Sequence, residues 1–165
     1  MIILGIDPGT RVTGYGVIEF NGLSYRAVDY GCVRPPLSLK LSEKYLVLFN
    51  AIEELIDKYR PEALAVETQY VQKNVQSAIK LGMARGAAVI AAKRKGLSVF
   101  EYAPSKAKLA VVGRGSASKH QVAGMVKALL RLAASALPED AADALALAIC
   151  HAQSRNTAVL AGAEI

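Results

Sequence analysis

Runs of apolar residues, separated by turn signals, divide the chain into five predicted strands and five predicted helical segments. Residues 2–6 form a continuous apolar run that ends at Asp7 and Pro8, the pattern of a buried central strand. Residues 37–59 have apolar positions at helical spacing, and Pro61 follows them. The pattern predicts strands over 2–6, 14–20, 23–33, 63–66 and 98–102, and helices over 37–59, 75–95, 105–112, 118–133 and 139–152.

The order of these elements predicts a single α/β domain. Asn21 and Gly22 are typical of a tight hairpin, so the first three strands are expected to run antiparallel. The later strands alternate with helices and are expected to join the same sheet. We therefore expect a five-stranded mixed sheet flanked by helices over residues 1–154. Residues 155–165 lack periodicity and are expected to form a loose tail.

Two of the predicted strands end in a carboxylate, Asp7 and Glu67. Burying an ionised oxygen costs several kcal/mol, on the order of 5, unless a partner or a cation compensates it. Asp140 and Asp143 are three residues apart on a predicted helix and share one face, where they repel each other unless a cation lies between them. Carboxylates without His or Cys at metal spacing favour Mg²⁺, with Mn²⁺ as a substitute. The sequence thus predicts one catalytic metal site, with two ions acting on a phosphodiester.

Each of these acids also has a purely structural explanation. Asp140 fits a helix N-cap and Asp143 fits a first-turn acid that the helix dipole favours. Asp7 fits a turn former before Pro8, and Glu67 fits a surface residue at a strand end. The joint occurrence of the four acids with a basic middle segment favours the metal site.

The basic middle segment comprises residues 68–138, which contain twelve Lys and Arg but one acid, Glu101. The whole chain has a net charge of +6 and a pI of about 9.4. Such a segment, set against isolated acids elsewhere, favours a polyanion held over an acidic pocket. An ordinary solvated basic surface is the alternative.

Several residues of the segment are candidates for DNA contact. The loop over residues 113–119 precedes a predicted helix and is suited to hold a phosphate, although an ordinary helix cap explains it equally well. Tyr70 is suited to stack on an unpaired base, or else packs on its own loop. Gly82 and Gly86 provide a small-residue helix face for dimerisation or for packing on the sheet. The candidate DNA-binding residues are Tyr70, Lys73, Lys80, Arg85, Lys106, Lys108, Arg114, Ser116 and Lys119.

The composition also bears on the cellular location. No apolar stretch approaches the roughly 20 residues that a membrane-spanning helix needs, and the N-terminus lacks the basic region of a signal peptide. Cys32 and Cys150 lie in no metal-binding motif and fit a reducing compartment. We expect a cytoplasmic protein without membrane contact.

Five sequence blocks, in this order and at this spacing, resemble the RuvC-type Holliday junction resolvases. The resemblance covers about residues 2–152. The blocks are GIDPGT with the following GYG, AVET with the following KN and KLGMARG, FEYAPSKAK, VVGRGSASKHQV, and DAADALALA.

The resemblance implies a ribonuclease H-like fold, a homodimer, and Mg²⁺-dependent cutting of two symmetric strands of a four-way DNA junction into ligatable nicks. It also implies a branch-migration motor as partner. By motif position the catalytic acids are Asp7, Glu67, Asp140 and Asp143. The aromatic residue at the junction centre is Tyr70, and the lysines beside the active site are Lys108 and Lys119.

Two alternatives belong to other functional classes. GIDPGT also resembles the phosphate-binding strand of the actin, Hsp70 and sugar-kinase ATPases, but these need two lobes and a second glycine-rich loop, which 165 residues do not accommodate. A protein that binds junctions without cutting them is the other alternative, and the four intact acids argue against it.

Overall fold

A mixed β-sheet with helices on both faces forms the body of the protein. The computed structural model describes residues 1–68, 74–133, 137–154 and 157–165. The strands are β1 Ile2–Asp7, β2 Thr13–Phe20, β3 Tyr25–Val33, β4 Ala63–Glu67, β5 Ser98–Tyr102 and β6 Ala163–Glu164. The helices are α1 Leu41–Tyr59, α2 Val75–Arg94, α3 Pro104–Val112, α4 Lys119–Leu130 and α5 Glu139–Ser154, with a short 3-10 helix at Ala158–Leu160.

The strand order is β3-β2-β1-β4-β5-β6. As predicted, β1, β2 and β3 are antiparallel neighbours, whereas β4 and β5 run parallel to β1. In the register between β1 and β4, Ile6 lies beside Val66. The strand ends that carry Asp7 and Glu67 therefore meet at the same edge of the sheet, where open α/β sheets usually place their ligands.

Two of the element boundaries that differ from the sequence prediction are set by local hydrogen bonds. The β2–β3 connection has four residues rather than two, since the Asn21 side-chain oxygen accepts hydrogen bonds from the backbone N–H groups of Leu23 at 3.0 Å and Ser24 at 2.8 Å. Helix α1 begins at Leu41 rather than at residue 37. There the backbone N–H of Lys40 donates to the Glu43 carboxylate at 2.6 Å.

The two faces of the sheet are covered by different helices. Leu4, Ile6 and Val66 point to the face covered by α1 and α2. Ile3 and Ala65 point to the opposite face, which α3, α4 and α5 cover. This alternation follows from the period of two along a strand. Side chains at neighbouring positions of one strand can therefore serve separate purposes on the two faces.

Helix α5 packs directly against the backbone of β1 and β2, and glycines make this approach possible. A Cβ added at Gly5 would overlap the carbonyl oxygen of Ala144, and one added at Gly14 would overlap the carbonyl oxygen of Asp140. All residues from Ala141 to Ala152 are buried except Asp143. The close contact fixes the N-terminal part of α5, with Asp140 and Asp143, next to the end of β1.

The last residues correct two predictions, the five-stranded sheet and the loose tail. The sheet has six strands, because Ala163 pairs with Glu101 and Glu164 pairs with Phe100. The Lys106 Nζ donates to the Ala161 carbonyl at 2.6 Å, and Leu160 is buried. These contacts are mostly made by backbone groups, which leave no hydrophobic periodicity in the sequence.

We predict that Gly14→Ala destabilises the protein by about 1–3 kcal/mol, because the new methyl group forces α5 away from β2. Gly124→Ala is the matched control. It lies in α4 with open space around its Cβ position, so alanine should be neutral or stabilising by up to about 1 kcal/mol. Denaturant unfolding of both variants tests this, and equal stability of the two would contradict the proposed close packing.

Candidate active site

Three acids from three elements converge on one cleft at the sheet edge. Asp7 ends β1, Glu67 ends β4, and Asp143 lies in the first turns of α5. The cleft has a volume of about 340 Å³. Its polar lining consists of Asp7, Glu67, Lys108, Lys119 and Asp143, and its apolar lining of Pro104, Ala107, Val122, Ala146 and Leu147.

Asp140, the fourth predicted acid, lies one turn before Asp143 at the start of α5. It does not line the cleft, but its charge raises the pKa values of Asp7 and Asp143. The structure therefore brings three of the four acids to one cleft and places Asp140 at its border.

The carboxylates in the cleft resist ionisation. Burial raises the pKa of Asp7 from 3.8 to about 7, with further contributions from the negative charges of Glu67, Asp143 and Asp140. Burial also raises the pKa of Glu67, and the charge of Asp143 adds to it. The pKa of Asp143 is likewise raised, mainly by burial. The cleft thus concentrates negative charge that a cation would stabilise.

Lys119 supplies part of the compensating positive charge. Its Nζ lies 2.9 Å from the Glu139 Oε1 and 3.3 Å from the Asp143 Oδ2. The hydrogen bond with Glu139 is the largest of the effects that raise the pKa of Lys119. The Lys119 side chain is 62% exposed, so these ion pairs contribute little to stability. Their consequence is electrostatic, since Lys119 and Lys108 both lower the pKa of Glu67.

The donor chemistry of the cleft fits a hard divalent cation. Within the described residues, no group of three or more His, Cys, Asp and Glu side chains is arranged as a complete metal-binding cluster. The acids are nevertheless close enough to alter one another's ionisation, and all of them offer oxygen ligands. Like charges in a partly buried cleft separate from one another, and Asp143 turns to Lys119, the cation within its reach.

The candidate DNA-binding residues fall into four groups. Lys108 and Lys119 line the cleft. Lys80 on α2, and Arg114 and Ser116 in the loop before α4, are exposed. Two others, Tyr70 and Lys73, lie outside the described residues.

Arg85 and Lys106 differ from the other candidates because their side chains make internal contacts. The Arg85 Nη2 lies 2.5 Å from the Glu101 Oε2, and its Nε donates to the Glu67 carbonyl oxygen at 3.1 Å. Lys106 is bound to the Ala161 carbonyl. Arg85 is mostly buried, whereas Lys106 is only partly buried and makes its contact at the surface. A count of charges along the chain does not show which cations acquire partners within the protein.

Sequence reasoning missed two residues that shape the site. Thr13 is buried, and its Oγ1 is 3.2 Å from both the backbone N and the carbonyl O of Gly9, which holds the turn after Asp7. Glu139 shares Lys119 with Asp143. The position of Thr13 just after a glycine-containing turn was an available signal, whereas the role of Glu139 depends on where α4 lies.

The sheet topology, together with an acidic cleft bordered by lysines, defines a nuclease of the ribonuclease H-like class. A family model described as crossover junction endodeoxyribonuclease RuvC matches residues 3–151. The protein of that name from Protochlamydia amoebophila (strain UWE25) is 66% identical over 153 residues, 93% of this chain and 91% of its own length. The one from Geobacter sp. (strain M21) is 51% identical, with 97% of both chains covered.

Solved structures agree with this match. Thermus thermophilus RuvC superposes with a TM-score of 0.87 at 33% identity and covers 100% of both chains. The T. thermophilus RuvC structure in complex with a Holliday junction substrate gives a TM-score of 0.86 at 31% identity, covering 100% of this chain and 99% of the other.

The chain belongs to the RuvC family of crossover junction endodeoxyribonucleases, enzymes that hydrolyse DNA. The predicted ribonuclease H-like fold is confirmed, apart from the additional sixth strand. Family membership also excludes the ATPase alternative. In the part of the chain that the structure describes, no helix has the length and apolar character needed to cross a membrane.

The raised pKa of Asp7 predicts that, without divalent ions, the protein loses stability as pH rises from about 4 to about 7. Between these values the unfolded chain ionises Asp7 while the folded protein keeps it protonated, so each step up in pH favours the unfolded state. Asp7→Asn should remove the part of this loss that Asp7 causes, while Glu67 and Asp143 keep theirs, and should stabilise the protein at pH 8 by a few kcal/mol, on the order of 1–4. Unfolding curves in EDTA between pH 4 and pH 8 measure the effect.

Asp57→Asn is the control for this measurement, because Asp57 is an exposed acid 2.7 Å from Lys95. Its substitution should leave stability unchanged or slightly lower at pH 8. A pH dependence that is identical in wild type and Asp7→Asn would contradict the assigned electrostatics.

Proposed function

We propose that this protein resolves four-way DNA junctions by hydrolysing phosphodiesters at two symmetric positions, leaving nicks with 5′-phosphate and 3′-hydroxyl ends. The observation that carries the proposal is the convergence of Asp7, Glu67 and Asp143 with Lys108 and Lys119 in one cleft of a RuvC-family chain. A relative that is 31% identical over the whole chain has been solved with a Holliday junction substrate. Residues 1–154 serve as one nuclease domain.

The proposed cofactor is Mg²⁺, with Mn²⁺ as a substitute and two ions per cleft. Asp7, Glu67 and Asp143 would hold the ions, with Asp140 completing the set from its position at the border. When bound, the ions supply Lewis-acid chemistry, which activates the attacking water and stabilises the leaving 3′ oxygen.

The protein groups prepare the site for an anionic substrate. Asp7 must be ionised to serve as a ligand, and its raised pKa makes that ionisation depend on a nearby cation. Lys108 and Lys119 are placed to contact the scissile phosphate from the wall of the cleft. To reach the phosphate, Lys119 must give up its contacts with Glu139 and Asp143. Because Lys119 is exposed, breaking these ion pairs costs little free energy.

Exposed residues outside the cleft extend the proposed DNA surface. Lys80, Arg114 and Ser116 face solvent and can follow the phosphate backbone. Helix α4 begins just after this loop, and the positive end of its dipole favours a phosphate nearby. Tyr70 and Lys73, which the structure does not describe, complete the proposal: Tyr70 stacks on an unpaired base at the junction centre and Lys73 binds a phosphate.

A homodimer would place one cleft on each of two symmetric strands. Helix α2 carries an apolar stripe, defined as Val75, Ile79, Met83 and Ile90, whose side chains are 52–62% exposed. Gly82 and Gly86 lie on the same helix with open space around them. A stripe of this kind at helical spacing is suited to a second copy of the chain related by a two-fold axis.

The cellular setting follows from the substrate. The protein would act on DNA in the cytoplasm, where Cys32 and Cys150 remain free thiols. A branch-migration motor that moves the junction relative to the two clefts is the proposed partner.

The direct test is cleavage of a synthetic mobile four-way junction compared with linear duplex, with and without Mg²⁺. We expect Mg²⁺-dependent paired nicks in the junction alone. Asp7→Asn should lower the cleavage rate by at least about a hundredfold while preserving junction affinity, because the lost charge belongs to metal chemistry rather than to phosphate contacts. Asp57→Asn should cut like wild type. Binding without cutting by the wild type at every sequence tried would instead support a binding-only protein.

We predict that Met83→Arg, which places a charge in the apolar stripe of α2, weakens the dimer by at least about a hundredfold. Met125→Arg on α4 is the matched control, since Met125 is also exposed, at 39%, but lies outside the stripe. Analytical ultracentrifugation at micromolar concentration measures both variants. If Met83→Arg and Ile79→Arg remain dimeric, the stripe is not the interface.

A further inference from the structure

We propose that Arg85, a conspicuous cation of the basic segment, is a positioning residue for Glu67 rather than a DNA contact. The inference rests on the proposed cleavage reaction and deepens it. Arg85 lies on α2, whereas Glu67 ends β4 and Glu101 lies on β5. One guanidinium therefore joins three elements at the catalytic edge of the sheet.

Arg85 binds the backbone of Glu67, not its carboxylate. Its Nε donates to the Glu67 carbonyl oxygen at 3.1 Å. The next backbone N–H, from Thr68 in the same peptide unit, donates to the Tyr102 carbonyl at 2.9 Å. Both polar groups of the peptide unit that follows the Glu67 Cα are thus hydrogen-bonded. Its carbonyl accepts from Arg85, and its N–H donates to the Tyr102 carbonyl.

Arg85 and the Glu67 carboxylate lie on opposite faces of the sheet. Ala65 points to the α5 face, and by the alternation of a strand the Glu67 side chain points there too, into the cleft. Val99 and, by the same alternation, Glu101 point to the α2 face, where Arg85 lies. Arg85 therefore binds the Glu67 backbone from the α2 face of the sheet, and the Glu67 carboxylate on the opposite face remains free to face the substrate.

Glu101 orients the guanidinium that makes this contact. Its Oε2 lies 2.5 Å from the Arg85 Nη2, and the two side chains are 29% and 20% exposed. Glu101 is also the single acid of residues 68–138. Only an arginine offers two donors in a rigid fork that can serve a carboxylate and a carbonyl together, so lysine should replace it incompletely.

The test combines kinetics, junction binding and hydrogen exchange on the full chain. Arg85→Ala should lower the single-turnover cleavage rate at saturating junction by about 10–100-fold, the usual cost of losing a supporting contact at a metal site. Arg85→Lys and Glu101→Gln should fall between Arg85→Ala and wild type. Junction affinity without metal, and its salt dependence, should stay within about twofold of wild type.

Arg94→Ala is the matched control. Arg94 lies on the same helix and pairs with Glu53 at 3.5 Å, away from the cleft, so its loss should leave the cleavage rate unchanged. Amide hydrogen exchange gives a readout independent of activity: Arg85→Ala should speed exchange in residues 63–68 by about tenfold or more, whereas Arg94→Ala should not.

The possible failures are distinguishable. If wild type does not cut junctions, the proposed function fails, and exchange in residues 63–68 still decides whether Arg85 fixes Glu67. If Arg85→Ala weakens junction binding and reduces the salt slope by about one, Arg85 is a DNA contact and the inference is wrong. An unchanged cleavage rate or unchanged exchange also overturns it. Should Arg85→Ala fail to fold, Arg85→Lys and Glu101→Gln carry the same comparisons.

Discussion

The close contact between α5 and the backbone of β1 and β2 is the constraint on which the rest of the site depends. Gly5 and Gly14 leave no room for a side chain beneath the helix, so the backbone of α5 rests on the strands themselves. This seating brings Asp143 to the cleft formed by Asp7 and Glu67. Packing of small residues thereby imposes an electrostatic cost, since acids from distant parts of the chain are forced together.

Nearby cations reduce the repulsion between these acids. Lys119 pairs with Glu139 and Asp143, and Lys108 lowers the pKa of Glu67. Burial and the neighbouring carboxylates nevertheless raise the pKa of Asp7 to about 7. A negatively charged cleft beside exposed basic residues is suited to capture divalent cations and then a phosphodiester. The two faces of the sheet serve different purposes. The cleft lies on the face covered by α5, whereas α2 on the other face carries the apolar stripe and Arg85.

Elements with strong periodicity or clear turn chemistry were predictable from the sequence. The buried strand before Asp7, the long helix α1 and the alternation of β4, α2 and β5 all followed from hydrophobic spacing. Strand β6 did not, because two residues joined to β5 by backbone hydrogen bonds carry no side-chain pattern. The contacts that Arg85 and Lys106 make within the protein could not be predicted either, since charge counts record position along the chain and not distance in space.

By itself the sequence determined the order of elements, the four acids, the basic segment and the resemblance to the junction resolvases, because residue type and local spacing encode these directly. Only the tertiary structure decided that three acids line the cleft while Asp140 lies at its border, that Lys119 is shared by two carboxylates, and that Arg85 donates to the Glu67 carbonyl oxygen. The reason is that each of these facts joins elements far apart in the chain, and their distances are set by how α2, α4 and α5 pack on the sheet.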